Sequence, residues 1–122
     1  MSRILIVEDE PHLLELYIDE LKEEGHEVEG YANGEEGLKR LDEFAPEVVV
    51  LDIKLENSAG GLEILKEVKS RNKNTRVILN SAYSTYKNDF TTWIADAYIV
   101  KSSDLVELKT KIKELGDSSP LM

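Results

Sequence analysis

The sequence predicts a three-layer α/β fold, with a five-stranded parallel sheet and helices on both faces. Two observations carry that expectation. Short apolar runs, above all residues 4–7, 48–51 and 97–100, lack polar alternation, as strands covered on both faces do. Between the strands lie longer segments whose apolar residues recur at i, i+3, i+4 and i+7, the period of a helix packed along one side. Strands that alternate with helices in this way imply parallel βαβ units with right-handed crossovers.

Taken in order, the first strand covers residues 4–7 and runs into Glu8, Asp9 and Glu10. Pro11 suits the first turn of a helix, where its missing N–H costs nothing. Leu14, Tyr17, Ile18 and Leu21 give that helix its apolar stripe, and Gly25 is placed to end it near Glu24. Residues 28–31 read as a weaker strand, with charged neighbours that suit a sheet edge. Asn33 and Glu36 form an N-cap and N3 pair for a second helix carrying Leu38, Leu41 and Phe44, closed by Pro46. The third strand, three valines and Leu51, ends in Asp52. A loop over 53–60 leads to a third helix with Leu62, Leu65 and Val68 inward. Residues 75–79 form the fourth strand, ending at Asn80 and Ser81. A fourth helix over 84–94 has the poorest periodicity, resting on Phe90 and Ile94. The fifth strand, 97–100, ends at Lys101. Ser103 caps a last helix with Leu105, Leu108, Ile112 and Leu115 on one face, and 116–122 form a short tail.

The totals narrow the function classes. At 122 residues the chain is one domain with room for a real core. Its net charge of −10 argues against gripping a nucleic-acid backbone, which calls for Lys/Arg patches. The charge suits a basic protein partner or a cation held by clustered acids. The absence of cysteine removes disulfide and thiolate chemistry and fits a reducing cytoplasm. No apolar run approaches the roughly 18–20 residues of a membrane span, and the N-terminus is wrongly built for a signal peptide.

A carboxylate is costly inside an apolar strand, so Asp52 belongs where its strand opens to water or a cation. In parallel sheets the C-terminal strand ends share one edge, where ligands bind. That edge collects Glu8 and Asp9 from strand one, Asp52 from strand three, Ser81 from strand four and Lys101 from strand five. Three neighbouring carboxylates repel one another, and a hard divalent cation resolves the repulsion. Oxygen donors without His or Cys favour Mg²⁺, with Mn²⁺ as an alternative. A cation, an ammonium and a hydroxyl around one carboxylate are what phosphoryl transfer requires.

Glu8-Asp9, Asp52, Ser81-Ala82, Tyr98 and Lys101, in this order and spacing, resemble the receiver domain of two-component response regulators over about residues 2–115. The resemblance implies a flavodoxin-like (βα)5 sandwich with strand order 2-1-3-4-5. It implies a phosphoacceptor switch in which Asp52 takes a phosphoryl group from a histidine kinase or a histidine phosphotransfer protein. Asp9 and Asp52 would ligate Mg²⁺ directly, Glu8 through water, and Lys54 through its backbone carbonyl. Lys101 and Ser81 would hold phosphoryl oxygens beside Ala82, and Tyr98 would turn inward, shifting a downstream surface made by the fourth helix, fifth strand and fifth helix. Such a protein is a cytoplasmic phosphoacceptor that catalyses its own phosphoryl uptake and slow loss, rather than an enzyme acting on other substrates. This domain would contact neither nucleic acid nor membrane.

The sequence also departs from the family pattern. Ser102 follows the lysine where proline, joined by a cis peptide, is usual; Glu56 replaces a proline after the acceptor; and the Gly60-Gly61 pair is unusual. The family's tuning positions are Lys54 and Tyr83, a cation and an aromatic that would slow self-dephosphorylation. A receiver that binds partners without phosphorylation is one alternative. An aspartyl-phosphate phosphohydrolase is another, disfavoured because Lys54 stands where such enzymes carry a second acid. Simpler roles also compete: Glu8 to Glu10 as a solvated first helical turn, His12 and His26 as solvated residues, and Trp93 as packing. Residues 1–116 read as the receiver and 117–122 as a tail or the start of a linker, either in a stand-alone protein or in part of a longer regulator.

Overall fold

A computed structural model describes residues 2–53, 60–82, 94–102 and 104–117. In chain order these form β1 (Arg3–Val7), α1 (Pro11–Glu23), β2 (Glu27–Tyr31), α2 (Gly34–Phe44), β3 (Val48–Leu51), α3 (Gly61–Arg71), β4 (Arg76–Ser81), β5 (Ala97–Val100) and α4 (Val106–Asp117). The strands pair in parallel in the order β2-β1-β3-β4-β5, the flavodoxin-like order expected. The helix expected over 84–94 lies outside the described residues except for Ile94, as do Lys54, Tyr83, Trp93 and Ser103.

Strand alternation sorts the core into two layers. Leu5, Val7, Val49, Leu51, Val77 and Leu79 face α2 and α3, against Leu41, Phe44, Ile64, Leu65 and Val68. Ile4, Ile6, Val48, Val50, Ile78 and Ile99 face α1 and α4, against Tyr17, Leu21, Leu108 and Ile112. β3 lies between β1 and β4 and is buried along its whole length, which explains its unbroken apolar run.

Local signals act as the sequence suggests. Glu10 caps α1, its carboxylate accepting from the His12 and Leu13 N–H groups, with Pro11 at the first helical position. Gly25, at φ 94°, turns the chain after α1. Asn33 caps α2 by accepting from the Glu36 N–H at 2.9 Å. Three details differ. β4 runs on to Ser81, because Asn80 and Ser81 still pair with Ile99 and Val100 of β5. The last helix continues through Gly116, where an added Cβ would meet Ser2 Oγ. His26 is not simply solvated: it is half-buried, and its Nδ1 accepts the Ser2 N–H at 3.0 Å.

Candidate functional site

The register brings the strand ends level. Val7, Leu51, Leu79 and Tyr98 align across four strands. The next residues are Glu8 and Asp52, each still tied to the ladder: Glu8 N–H donates to Tyr31 O and Asp52 N–H to Val7 O, both at 3.1 Å. Alternation sends the Glu8 and Asp52 side chains to the α1/α4 side, as continuations of Ile6 and Val50. Here the core stops and charge begins. Glu8 is only 2% exposed and Asp52 8%.

Glu8, Asp9 and Asp52 each offer a carboxylate oxygen, and the three oxygens lie within 4.8 Å of one another. Lys101 enters from the end of β5, its Nζ 2.6 Å from Glu8 Oε1 and 2.9 Å from Asp52 Oδ2. The ammonium therefore pairs with both acids, and more closely with Glu8. Burial pushes the Glu8 carboxyl above the ordinary glutamate value, against hydrogen bonds from Lys101 and from the Glu10 N–H. Burial also works against charge on Lys101, but its bonds to Glu8 and Asp52 carry it above the ordinary lysine value. An all-carboxylate donor set of this size fits a hard divalent cation.

The other expected residues take varied places. Ser81 is completely buried, and its carbonyl accepts the Lys101 N–H at 2.6 Å, fixing the backbone from which the lysine departs. Ala82 is exposed beside it. Tyr98 is half-buried and packs on the α2/α3 core layer. The Lys101–Ser102 peptide is trans. The Lys54 and Tyr83 roles concern residues outside the described chain.

Two contributors escaped the sequence reading. Gly61, at the start of α3, docks directly on the acceptor strand's end: its N–H donates to Ile53 O at 2.9 Å, and an added Cβ would run into the Asp52 carbonyl. The signal was the Gly60-Gly61 pair, which seemed only unusual. Asn80, 3% exposed beside the site, hydrogen-bonds the buried Tyr17 of α1. Its signal was a carboxamide ending an apolar strand.

Comparisons with known proteins agree with this geometry. A family model for the response regulator receiver domain matches residues 4–113. The transcriptional regulatory protein TrcR of Mycobacterium tuberculosis is 36% identical over 115 residues, covering 93% of this chain and 44% of TrcR. The response regulator ArlR of Staphylococcus aureus is 33% identical over 121 residues, covering 98% of this chain and 55% of ArlR. The chain thus spans about half the length of these curated relatives. Among solved structures, the response regulator TrrA of Thermotoga maritima, in complex with Mg(2+)-BeF, superposes with a TM-score of 0.89 at 44% identity, covering 94% of this chain and 99% of that one. TrrA has also been solved in complex with the histidine kinase ThkA, with a TM-score of 0.86 and coverage of 94% and 98%.

Proposed function

The chain belongs to the response regulator receiver domain family, and from that premise we propose that Asp52 is the phosphoacceptor of a phosphorylation switch. The observation that carries this reading is the cluster of Glu8, Asp9 and Asp52 on one sheet edge, with Lys101 reaching two of the three acids. The fold supports it by placing the Asp52 carboxylate, 8% exposed, just past the end of the central strand, on the edge shared by the C-terminal strand ends.

In this reading an Asp52 carboxylate oxygen attacks the phosphorus of a phosphohistidine on a partner kinase or phosphotransfer protein. The new P–O bond forms as the P–N bond breaks, and the imidazole leaves with the electron pair and takes up a proton. Asp9 and Asp52 would hold Mg²⁺ directly, with Glu8 acting through water and Lys54 through its carbonyl. The cation, when bound, would neutralise charge on the phosphoryl oxygens. Lys101 exchanges its bond to Asp52 for a phosphoryl oxygen, and Ser81 donates its hydroxyl to another beside Ala82. Tyr98 repacks at the edge of the α2/α3 layer, and a downstream surface that includes β5 and α4, with the helix expected over 84–94, would report the change to a downstream protein. Lys54 and Tyr83, at the family's tuning positions, would slow hydrolysis of the product.

Incubation with acetyl phosphate and Mg²⁺, followed by intact mass measurement, tests the reading. We expect one added phosphoryl group in the native chain and none in Asp52→Asn. An unmodified native chain under these conditions would overturn it.

A further inference from the structure

The residues that meet at the site do not all come from adjacent strands: Glu8 and Asp52 follow neighbours, and Lys101 does not. Lys101 leaves β5, Asp52 follows β3, Glu8 follows β1, and β4 stands between β5 and β3. Neighbouring strands are about 4.8 Å apart. The Lys101 side chain must therefore cross the full width of β4 to set its Nζ at 2.9 Å from Asp52 and 2.6 Å from Glu8.

Register and alternation identify what β4 presents along that path. Leu51 pairs with Leu79, and Asn80 pairs with Ile99, so Asn80 lies one step beyond, level with Asp52. Asn80 continues the face of Ile78, and Lys101 continues the face of Ile99; both are on the α1/α4 side. Lys101 starts two residues beyond Ile99, the partner of Asn80, and reaches back to Asp52, which is level with Asn80, so its path runs along the side of β4 that carries the carboxamide. On this layer the preceding strand positions are Ile or Val, and a buried amide next to them is costly unless it is bonded. Tyr17, 2% exposed on α1, supplies the bond, and its hydroxyl lies within electrostatic reach of Lys101, Glu8 and Asp52.

We propose that Tyr17 and Asn80 are a positioning pair for Lys101, supporting its side chain where it crosses β4 and holding the ammonium on Asp52 and Glu8. A lysine stem is flexible, and a point charge at its end has no preferred direction of its own. A fixed polar bridge between α1 and β4 narrows the paths open to that stem. It thereby fixes where the ammonium stands before any phosphoryl group arrives. The inference deepens the phosphoacceptor reading and rests on it only for the kinetic half of its test.

The first half uses metal-free, unphosphorylated protein labelled with ¹⁵N-lysine. The Lys101 ammonium signal, assigned by its loss in Lys101→Met, should exchange with water about tenfold faster in Tyr17→Phe and Asn80→Leu, the scale of lost outer-shell support. The Lys69 ammonium, at the far end of the sheet, should not change. The second half measures phosphoryl uptake from acetyl phosphate with Mg²⁺, below the unfolding range of every variant. Tyr17→Phe, which keeps the packed ring, should slow uptake about tenfold in the native background and leave it unchanged in Lys101→Met. Unaltered Lys101 exchange in both variants would overturn the proposal, as would equal slowing with and without Lys101. If the native chain takes up no phosphoryl group, the phosphoacceptor reading falls, and the exchange measurement alone decides the positioning pair.

Discussion

Where the chain enters β5, Lys69 Nζ lies 2.7 Å from Asp96 Oδ2, with the side chains 15% and 17% exposed. Where the chain leaves β5, Lys101 Nζ lies 2.6 Å from Glu8 Oε1, with exposures of 15% and 2%. Distance barely separates the two pairs; the deeper burial of Glu8 and the surroundings of each pair do. Asp96 also receives the Val77 N–H at 2.7 Å and Arg76 Nη1 at 3.4 Å, while Lys69 donates a second bond to Thr75 O. One acid meets two cations and a backbone donor, so this network ties α3, β4 and β5 together and is complete. At the other end Lys101 pairs with two carboxylates, Glu8 and Asp52, and Asp9 sets a third carboxylate oxygen beside them. That cluster carries an excess of acid, which a cation can correct. Counting partners, rather than measuring one pair, distinguishes architecture from a site.

The sharpest way to break the comparison is Asp96→Ala. It leaves Lys69 and Arg76 facing each other and a strand N–H without its acceptor. Removing one partner of a partly buried pair costs about 3 kcal/mol. The expected result in urea denaturation is a loss of that size, unchanged by adding Mg²⁺. A variant that Mg²⁺ restores would mean the two ends of the sheet are not separate systems.

Lys101→Met should cost less, about 2 kcal/mol, the scale of hydrogen bonds to charged groups. Its signature is the response to cation. With the ammonium gone, its positive charge no longer opposes Mg²⁺ at Glu8 and Asp52, and binding to the native state raises stability by mass action. Mg²⁺ should therefore raise the melting temperature of this variant more than that of the native chain. An equal or smaller rise would show that Lys101 does not compete with the cation for these acids.

Much of this was legible in the sequence, for a physical reason. Parallel strands share one C-terminal edge, so Glu8, Asp52, Ser81 and Lys101 could be placed together from strand ends alone. Asn33 and Pro11 read correctly as helix starts because their signals act within one turn. What escaped depended on how separate segments meet. Gly61 matters because α3 begins against the Asp52 carbonyl, and nothing in the chain order says how close that approach is. Asn80 looked like the residue after a strand, but pairing with β5 keeps it inside, where it needs Tyr17 from a helix more than sixty residues earlier. The closer pairing of Lys101 with Glu8 is likewise a matter of side-chain reach over β4.

The smallest effect is the most direct test of whether the acid-rich edge is incomplete. Burial raises the Glu8 carboxyl even though Lys101 touches it. A glutamate whose folded pKa exceeds its unfolded value contributes stability that is fully present below the ordinary glutamate range. That contribution is lost as pH climbs through the raised value. Glu8→Gln lacks this titration. In EDTA, the stability of the native chain relative to Glu8→Gln should therefore fall as pH rises across that window and then level off, as read from urea denaturation at successive pH values. With Mg²⁺ present the fall should vanish, because a bound cation favours the carboxylate. A difference that instead grows with pH in EDTA would mean that Lys101 alone satisfies Glu8. The site would then be, like Lys69 and Asp96, a closed ion pair with no standing demand for a cation.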